Sequence, residues 1–400
     1  MNTKQKGKPY AILVGLDSMQ GLQVARILAG HDVPVIAITK NAKYYSSYTR
    51  VCEKIFVANT SSDELIHLLV ELGPTFEQKP VLYPCQAKNV LLISKERQVL
   101  EPWYHIVLAA PETVEMLKDK VQFYTYAKKA GLPIPRTFIL NGRADAETAA
   151  ANLSYPCILK PPVRLSVWSK HTKVKAFKIG SAEELLTMYD RCSQWADNLI
   201  AQDWVEGTDA DLYSCNCYFN AKSEPVVTFV ARKLRQWPPQ TGQSCLGEEC
   251  RNDIVLNETI RLFKGVNYCG LGYVEMKYDR NRDRYFIIEP NVGRPTGRSA
   301  IAEAGGVELH YAMYCDALNL PMPPNLEQTY QGVKWIHMLR DTQSAFHYWR
   351  KGELTFKEWR ESVRGRKAYA VFSWRDPLPF IVAVFQATRW LLTSSREDEE

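Results

Sequence analysis

Two glutamates and an asparagine are spaced to hold a hard cation. Glu275 and Glu289-Pro290-Asn291 lie on two apolar-rich runs, 272–279 and 284–291, separated by a polar stretch from Arg280 to Asp283. Two β-rich runs joined by a short polar loop spell an antiparallel hairpin. A three-residue loop at 281–283 pairs Arg280 with Arg284 and sets Glu275 opposite Glu289. Asn291, two residues further on, points the same way as Glu289. Opposed residues hold their Cβ atoms roughly 5 Å apart, and like charges there repel unless a cation lies between them. Two carboxylates and an amide oxygen form an all-oxygen set, which suits Mg²⁺ and a polyphosphate better than a soft metal. The competing reading is a slipped register with solvated acids.

Cations follow the same logic. Lys120 opens the course of a long helix ahead of a Gly-Leu-Pro-Ile-Pro boundary, and Lys160 ends an apolar strand. A compact ammonium at such a place is a natural phosphate ligand, although either lysine alone reads equally as a surface residue. The basic loop from Val163 to Lys175, which carries Arg164, Trp168, Lys173 and Lys175, can close over a triphosphate and exclude water, or stand as a solvated hairpin. The strand end Gln202-Asp203-Trp204-Val205 can present backbone groups to an adenine edge, with Trp204 and Val205 as apolar walls and Asp209 or Asp211 for ribose hydroxyls. Lys233 and Arg235 belong to a cation-dense stretch, 232–242, expected to follow a strand as a loop. Gly293-Arg294-Pro-Thr-Gly-Arg298 is a glycine-rich turn leading into a helix, an anion site for a substrate carboxylate or acyl phosphate. Ser46, Ser47 and Arg50 are weaker candidates for holding a substrate.

The elements that must position these residues fall into an α/β part and an α+β part. Residues 9–40 read strand, glycine turn, helix, strand, a right-handed βαβ unit. Alternation continues through strands near 54–58, 80–83 and 106–108. A helix is expected from Pro111 to about Gly131, and prolines 133 and 135 mark a boundary. Strands then crowd together at 136–140, 157–160, 175–179, 199–203, 211–219 and 225–231, before the hairpin and a helix over 300–319. The domain reading is a Rossmann-like unit at 1–110, a second unit at 111–325 with a lid at about 135–200, and a helical C-terminal extension at 326–400.

Composition narrows the function classes. The chain has 400 residues, 46% of them hydrophobic, and a net charge of +6, too mild to argue for nucleic acid and compatible with an anionic ligand. Ten scattered cysteines show no compact disulfide spacing, which points to a reducing, cytoplasmic setting. No signal-peptide core stands out, and no run reaches the roughly 18 apolar residues of a membrane-spanning helix. Gly15 and Gly21 do not make the dinucleotide fingerprint, so NAD binding is disfavoured. Cys215, Cys217, Cys245 and Cys250 are spaced poorly for zinc. The apolar run 377–392 beside Arg360, Arg364, Arg366 and Lys367 suits a membrane-surface helix, but a helix packed on the protein or on a second subunit is preferred.

The order of these motifs over roughly residues 10–320 resembles the ATP-grasp superfamily, and within it the carboxylate–amine ligase group, similar to carbamoyl-phosphate synthetase and D-aspartate ligase. Glu289-Pro-Asn-Val-Gly-Arg294 resembles the family's Glu-x-Asn-x-Arg signature, with the arginine further from the asparagine than usual. The resemblance implies a Rossmann-like pre-ATP-grasp domain and an ATP-grasp fold with a mobile lid. It implies that Glu275, Glu289 and Asn291 hold Mg²⁺, with Mn²⁺ as the alternative ion, against the phosphates of ATP. Lys120 and Lys160 would touch phosphates, and Gln202 to Val205 would line the adenine. The hinge departs from the family in its Gln-Asp start. The lid lacks a glycine-rich phosphate loop, which leaves side chains such as Lys173 and Lys175 for that task. Lys233, Arg235, Arg294 and Arg298 would stabilise the transferring group. The implied activity joins a carboxylate to an amine, both small and amino-acid-like, through an acyl phosphate, turning ATP into ADP and phosphate. The alternative is a non-catalytic ATP-binding regulator. Many relatives are dimers, so a homodimer stays open.

Overall fold

The computed structural model describes residues 7–163, 166–239 and 242–397, with side chains described as far as Arg389. Arg164 of the basic loop, Gln240 and Thr241 of the cation cluster and the last three acidic residues lie outside the described residues.

Ala11-Ile-Leu-Val is buried at every position, and an apolar run with no exposed face belongs in a parallel sheet covered on both sides. Strands β1 (Ala11–Val14), β2 (Val35–Thr39), β3 (Lys54–Val57), β4 (Val81–Pro84) and β5 (His105–Ile106) form that sheet in the order β3-β2-β1-β4-β5, with every pairing parallel. The chain leaves β1 through Gly15 at φ +91°, a conformation that side chains resist. Ser18 then caps the helix Met19–Gly30, its Oγ accepting from the Gly21 N–H at 3.1 Å. A Cβ on Gly21 would stand 2.6 Å from the Gly15 carbonyl oxygen. Both glycines therefore serve the close approach of the turn to its own helix.

The lid is a separate antiparallel sheet. Strands β6 (Thr137–Leu140), β7 (Cys157–Lys160), β8 (Phe177–Ile179) and β9 (Leu199–Asp203) take the order β6-β9-β7-β8 over helices Arg143–Asn152 and Ala182–Cys192, around an apolar core of their own. The expected open loop at 163–175 contains a short helix, Ser166–His171. Its Trp168 is fully buried in the lid core and donates from Nε1 to the Val174 carbonyl at 2.9 Å. That anchor holds the segment to the lid itself, and Lys173 and Lys175 stand exposed on it.

The third sheet carries the hairpin. Strands β10 (Leu212–Phe219), β11 (Pro225–Trp237), β12 (Gln243–Glu249), β13 (Gly270–Asp279), β14 (Arg284–Val292), β15 (Lys334–Ile336) and β16 (Lys367–Tyr369) take the order β14-β13-β10-β11-β12-β15-β16. Three expectations change here. The strand expected to end at 231 runs on to Trp237, so Lys233 and Arg235 sit on a strand and not on a loop. The segment 326–400 is more than a helical extension, because β15 and β16 finish the sheet and Trp335 is fully buried. The long helix from Pro111 breaks at Asp119, whose carboxylate caps a second helix, Lys120–Lys129, by accepting from Val121 and Gln122 N–H groups at 2.8 and 3.0 Å.

Candidate active site

The hairpin delivers the two acids by a route the sequence does not show. Asp279 pairs with Arg284, so the loop is Arg280–Asp283 and the ladder starts one residue out of the expected register. A bulge then leaves Ile288 unpaired between Met276↔Ile287 and Glu275↔Glu289. One extra residue shifts the pairing by one and re-aims the side chains beyond it, which restores the opposed acids. The bulge is fixed from outside the hairpin. The Ile287 N–H donates to the Pro133 carbonyl at 2.7 Å, and the Tyr124 hydroxyl donates to the Ile288 carbonyl at 3.0 Å.

Around the acids the charges alternate. Lys233 Nζ lies 3.4 Å from Glu275 Oε1. Asn291 Nδ2 donates to Glu289 Oε1 at 3.4 Å, and Arg294 Nη2 donates to Asn291 Oδ1 at 2.5 Å. Arg298 Nη2 donates to the hydroxyl of Ser214, the residue in register with Glu275 on β10, at 2.6 Å. Burial alone would raise the Glu275 carboxyl. The charges of Lys233, Arg298 and Arg294 outweigh it and hold the group below the usual carboxylate range. A cavity of about 260 Å³ is lined by both glutamates, Lys233, both arginines and, from the first domain, Met19 and Gln20.

A smaller cleft shares Glu289 and Asn291 with Lys118 and Lys120. Burial lowers both lysines, with Arg294 adding to the effect on Lys118 and Lys160 to that on Lys120, while the Glu289 charge opposes it. Lys160 Nζ donates to Gln202 Oε1 at 3.0 Å and to the Tyr124 hydroxyl at 3.3 Å, so lid, hinge and helix meet there. Lys118 escapes the sequence reading because an unbroken helix would turn it away from Lys120. The Asp119 cap brings both to one cleft.

Several candidates are bound up elsewhere. Arg235 is turned away from the acids: its Nε and Nη2 grip Asp341 at 2.9 and 3.0 Å, behind a β-bulge that separates it from Lys233. Asp209 accepts from Gln236 Nε2 at 2.7 Å and the Tyr348 hydroxyl at 2.9 Å. Asp211 accepts from Arg280 Nε at 2.8 Å and the Thr208 N–H at 2.6 Å. Asp203 takes the Ser154 N–H at 2.9 Å and Arg282 at 3.2 Å, and Gln202 donates to Thr137 Oγ1 at 2.7 Å. The Trp204 ring has Lys178 of the lid at 4.4 Å and Lys277 of β13 at 5.2 Å, and Lys277 also donates to the Val205 carbonyl at 2.8 Å. Ser46 and Ser47 donate to the carbonyls of Leu16 and Asn41, so their hydroxyls serve the local fold, while Arg50 is exposed and only its backbone N–H is held, by Asp376.

No family model matches the chain. It is 24% identical over 323 residues to the D-aspartate ligase of Enterococcus faecium, covering 71% of this chain and 74% of that protein. Its structure is similar to biotin carboxylase from Campylobacter jejuni, with a TM-score of 0.63 and 14% identity over 79% of this chain and 72% of that one. It is likewise similar to N5-carboxyaminoimidazole synthetase from Staphylococcus aureus, with a TM-score of 0.60 and 15% identity over 82% of each chain. The chain has the ATP-grasp fold.

The site offers donors of both signs. Among the described residues no three His, Cys, Asp or Glu side chains form a metal cluster, and a hard cation takes mixed oxygen donors. Glu275 and Glu289 are hard and doubly negative, and Asn291 completes such a set once its amide turns so that the oxygen now held by Arg294 faces the acids. Arg294 Nε and Arg298 Nε are buried and have no partner among the described residues. Unspent donors beside the acids fit an anionic group.

Proposed function

We propose that this ATP-grasp chain is an ATP-dependent ligase that joins a carboxylate to an amine. The observation that carries the reading is the opposed pair Glu275 and Glu289 with Asn291, flanked on one side by Lys233, Arg294 and Arg298 and on the other by Lys118 and Lys120. Acids alone would repel ATP, and cations alone would not hold Mg²⁺. Mg²⁺ on Glu275, Glu289 and Asn291, or Mn²⁺ in its place, would neutralise phosphate charge. Lys118, Lys120 and Lys160 supply point charges for the phosphates, and the hinge at Gln202–Val205 lines the adenine, with Trp204 and Val205 as apolar walls. A substrate carboxylate oxygen attacks the γ-phosphorus, ADP departs, and an acyl phosphate is left. Arg294 and Arg298 hold its oxygens, as preorganised donors at developing charge do. The amine then attacks the acyl carbon, phosphate leaves with the bonding pair, and the amine loses a proton. The side chains need form no covalent bond to substrate.

The relative named for D-aspartate puts D-aspartate first among the acids to test. ADP release is measured with Mg-ATP across a panel of amino acids and small carboxylic acids, for wild type and Glu289→Gln. The expected result is release that depends on substrate and falls by about 10²-fold or more in the variant. ATP binding without release under any pair would favour a regulator, and no ATP binding would overturn the reading of the hairpin.

A further inference from the structure

Among the described residues the exposed large aromatic side chains are densest near the C-terminus, while exposed valines, Leu91, Ile254 and others are scattered over the rest of the surface. Among the described residues every exposed phenylalanine, Phe346, Phe356 and Phe385, lies between residues 338 and 385, with Met338, Trp349 and Trp374 also exposed there. Single apolar residues are ordinary on a surface, whereas a contiguous set marks an interaction face. One helix makes these contiguous. Met338, Thr342, Phe346 and Trp349 recur at helical spacing along the outer side of Met338–Arg350, while Asp341, Ser344 and Ala345 face inward. At the far end Phe346 and Trp349 join Leu354, Phe356 and Trp359 around a cleft of about 350 Å³. At the near end Met338 meets Tyr369, Phe372 and Phe380. The Phe372 ring lies 4.8 Å from that of Trp374, which is 87% exposed. Ile381 and Phe385 project from the final helix, Leu378–Glu397. Its inner side carries buried Ala383, and Gln386 donates to the Lys43 carbonyl at 2.6 Å. Exposed Arg350, Lys351, Lys357, Arg360, Arg364 and Arg375 accompany this surface, against exposed Glu353, Glu358 and Glu361.

We propose that this face docks on the surface of an anionic lipid bilayer. Aromatic rings would enter the headgroup region, and the cations would meet lipid phosphates. Among the described residues no helix is long and apolar enough to cross a membrane, so the contact is peripheral. Charge and shape select the occupant. An acidic helical peptide would fill the cleft and leave Trp374, Ile381 and Phe385 bare. A second copy would bring this positive face against itself. A flat anionic surface takes both the cleft rim and the projecting rings.

The full chain is floated with vesicles of phosphatidylcholine alone and of phosphatidylcholine mixed with phosphatidylglycerol. Flotation is expected only with the anionic vesicles and should weaken as salt is raised. The double variant Trp349→Ser with Phe356→Ser should partition roughly tenfold less or more, and Arg360→Gln about fivefold less. These positions are exposed, so both variants should keep the wild-type Tm, which is checked alongside. Equal flotation on both vesicle types, or variants that float like wild type, would overturn the proposal. So would a concentration-dependent dimer, or saturable capture of an acidic helical peptide, lost in the double variant without any vesicle binding.

Discussion

Lys233 and Arg235 are two residues apart on one strand and have opposite fates. Lys233 faces Glu275, whereas Arg235 is locked to Asp341 beneath the helix Met338–Arg350. Lys233→Met should therefore cut substrate-dependent ADP release by about 10²-fold or more with the fold kept, as circular dichroism would report. Arg235→Met leaves Asp341 buried without its cation and should cost about 3–5 kcal/mol of stability, read from urea unfolding, with the turnover of the folded fraction little changed. Asp211 tests a different idea. Burial would raise its carboxyl, but bonds from Arg280 and Thr208 hold it below 3.8. A carboxyl depressed in the folded state lends stability that is present above its unfolded value and lost as pH falls through the folded one. Asp211→Asn should thus lower stability at neutral pH by about 1 kcal/mol, since Arg280 is largely exposed, and the gap to wild type should close below pH 3.8. A gap that persisted in acid would show that the charge is not the source.

At the scale of elements, the turn after β14 sets where the arginines lie. Gly293 has φ +68°, and a Cβ there would stand 2.6 Å from both Leu108 Cδ2 and Val90 Cγ1 of the first domain. Gly293→Ala should lower stability by about 1–3 kcal/mol and raise the KM for the carboxylate by moving Arg294, both visible in one preparation by thermal melts and initial rates. The hairpin teaches a related point. Its acids are opposed as the alternation of residues 272–279 and 284–291 suggests, yet a four-residue loop and a bulge at Ile288 compensate each other to bring this about. Nothing in the run Phe286-Ile287-Ile288 announces a bulge. It exists because Pro133 and Tyr124, distant in sequence, take up the N–H of Ile287 and the carbonyl of the unpaired Ile288.

Across the whole molecule, the C-terminal segment completes the central sheet. Trp335 on β15 is fully buried and donates from Nε1 to Gln23 Oε1 at 2.9 Å, while Gln23 Nε2 donates to the Gly297 carbonyl at 3.0 Å. First domain, arginine turn and last strands thus share one glutamine. Trp335→Ala should destabilise the chain by about 3–5 kcal/mol, and activity at a permissive temperature should fall as well because the turn loses its brace. A melt that moved without any change in activity would separate the brace from the packing.

The sequence by itself determined the elements whose cause is local. Apolar runs without an exposed face made the parallel strands, alternation made the hairpin, and glycine with serine made the first turn. The order of charged residues along those elements put Glu275, Glu289, Asn291, Lys120 and the arginine turn among the candidates, and these line two clefts that share Glu289. Only the tertiary structure decided which charges meet. Lys118 joined the cleft because Asp119 broke a helix, Arg235 left it because a bulge turned the strand toward Asp341, and Trp168 left the solvent because the lid has a core to fill. Each of these outcomes depends on a partner far along the chain, and a contact between distant residues has no signature in the spacing of either one.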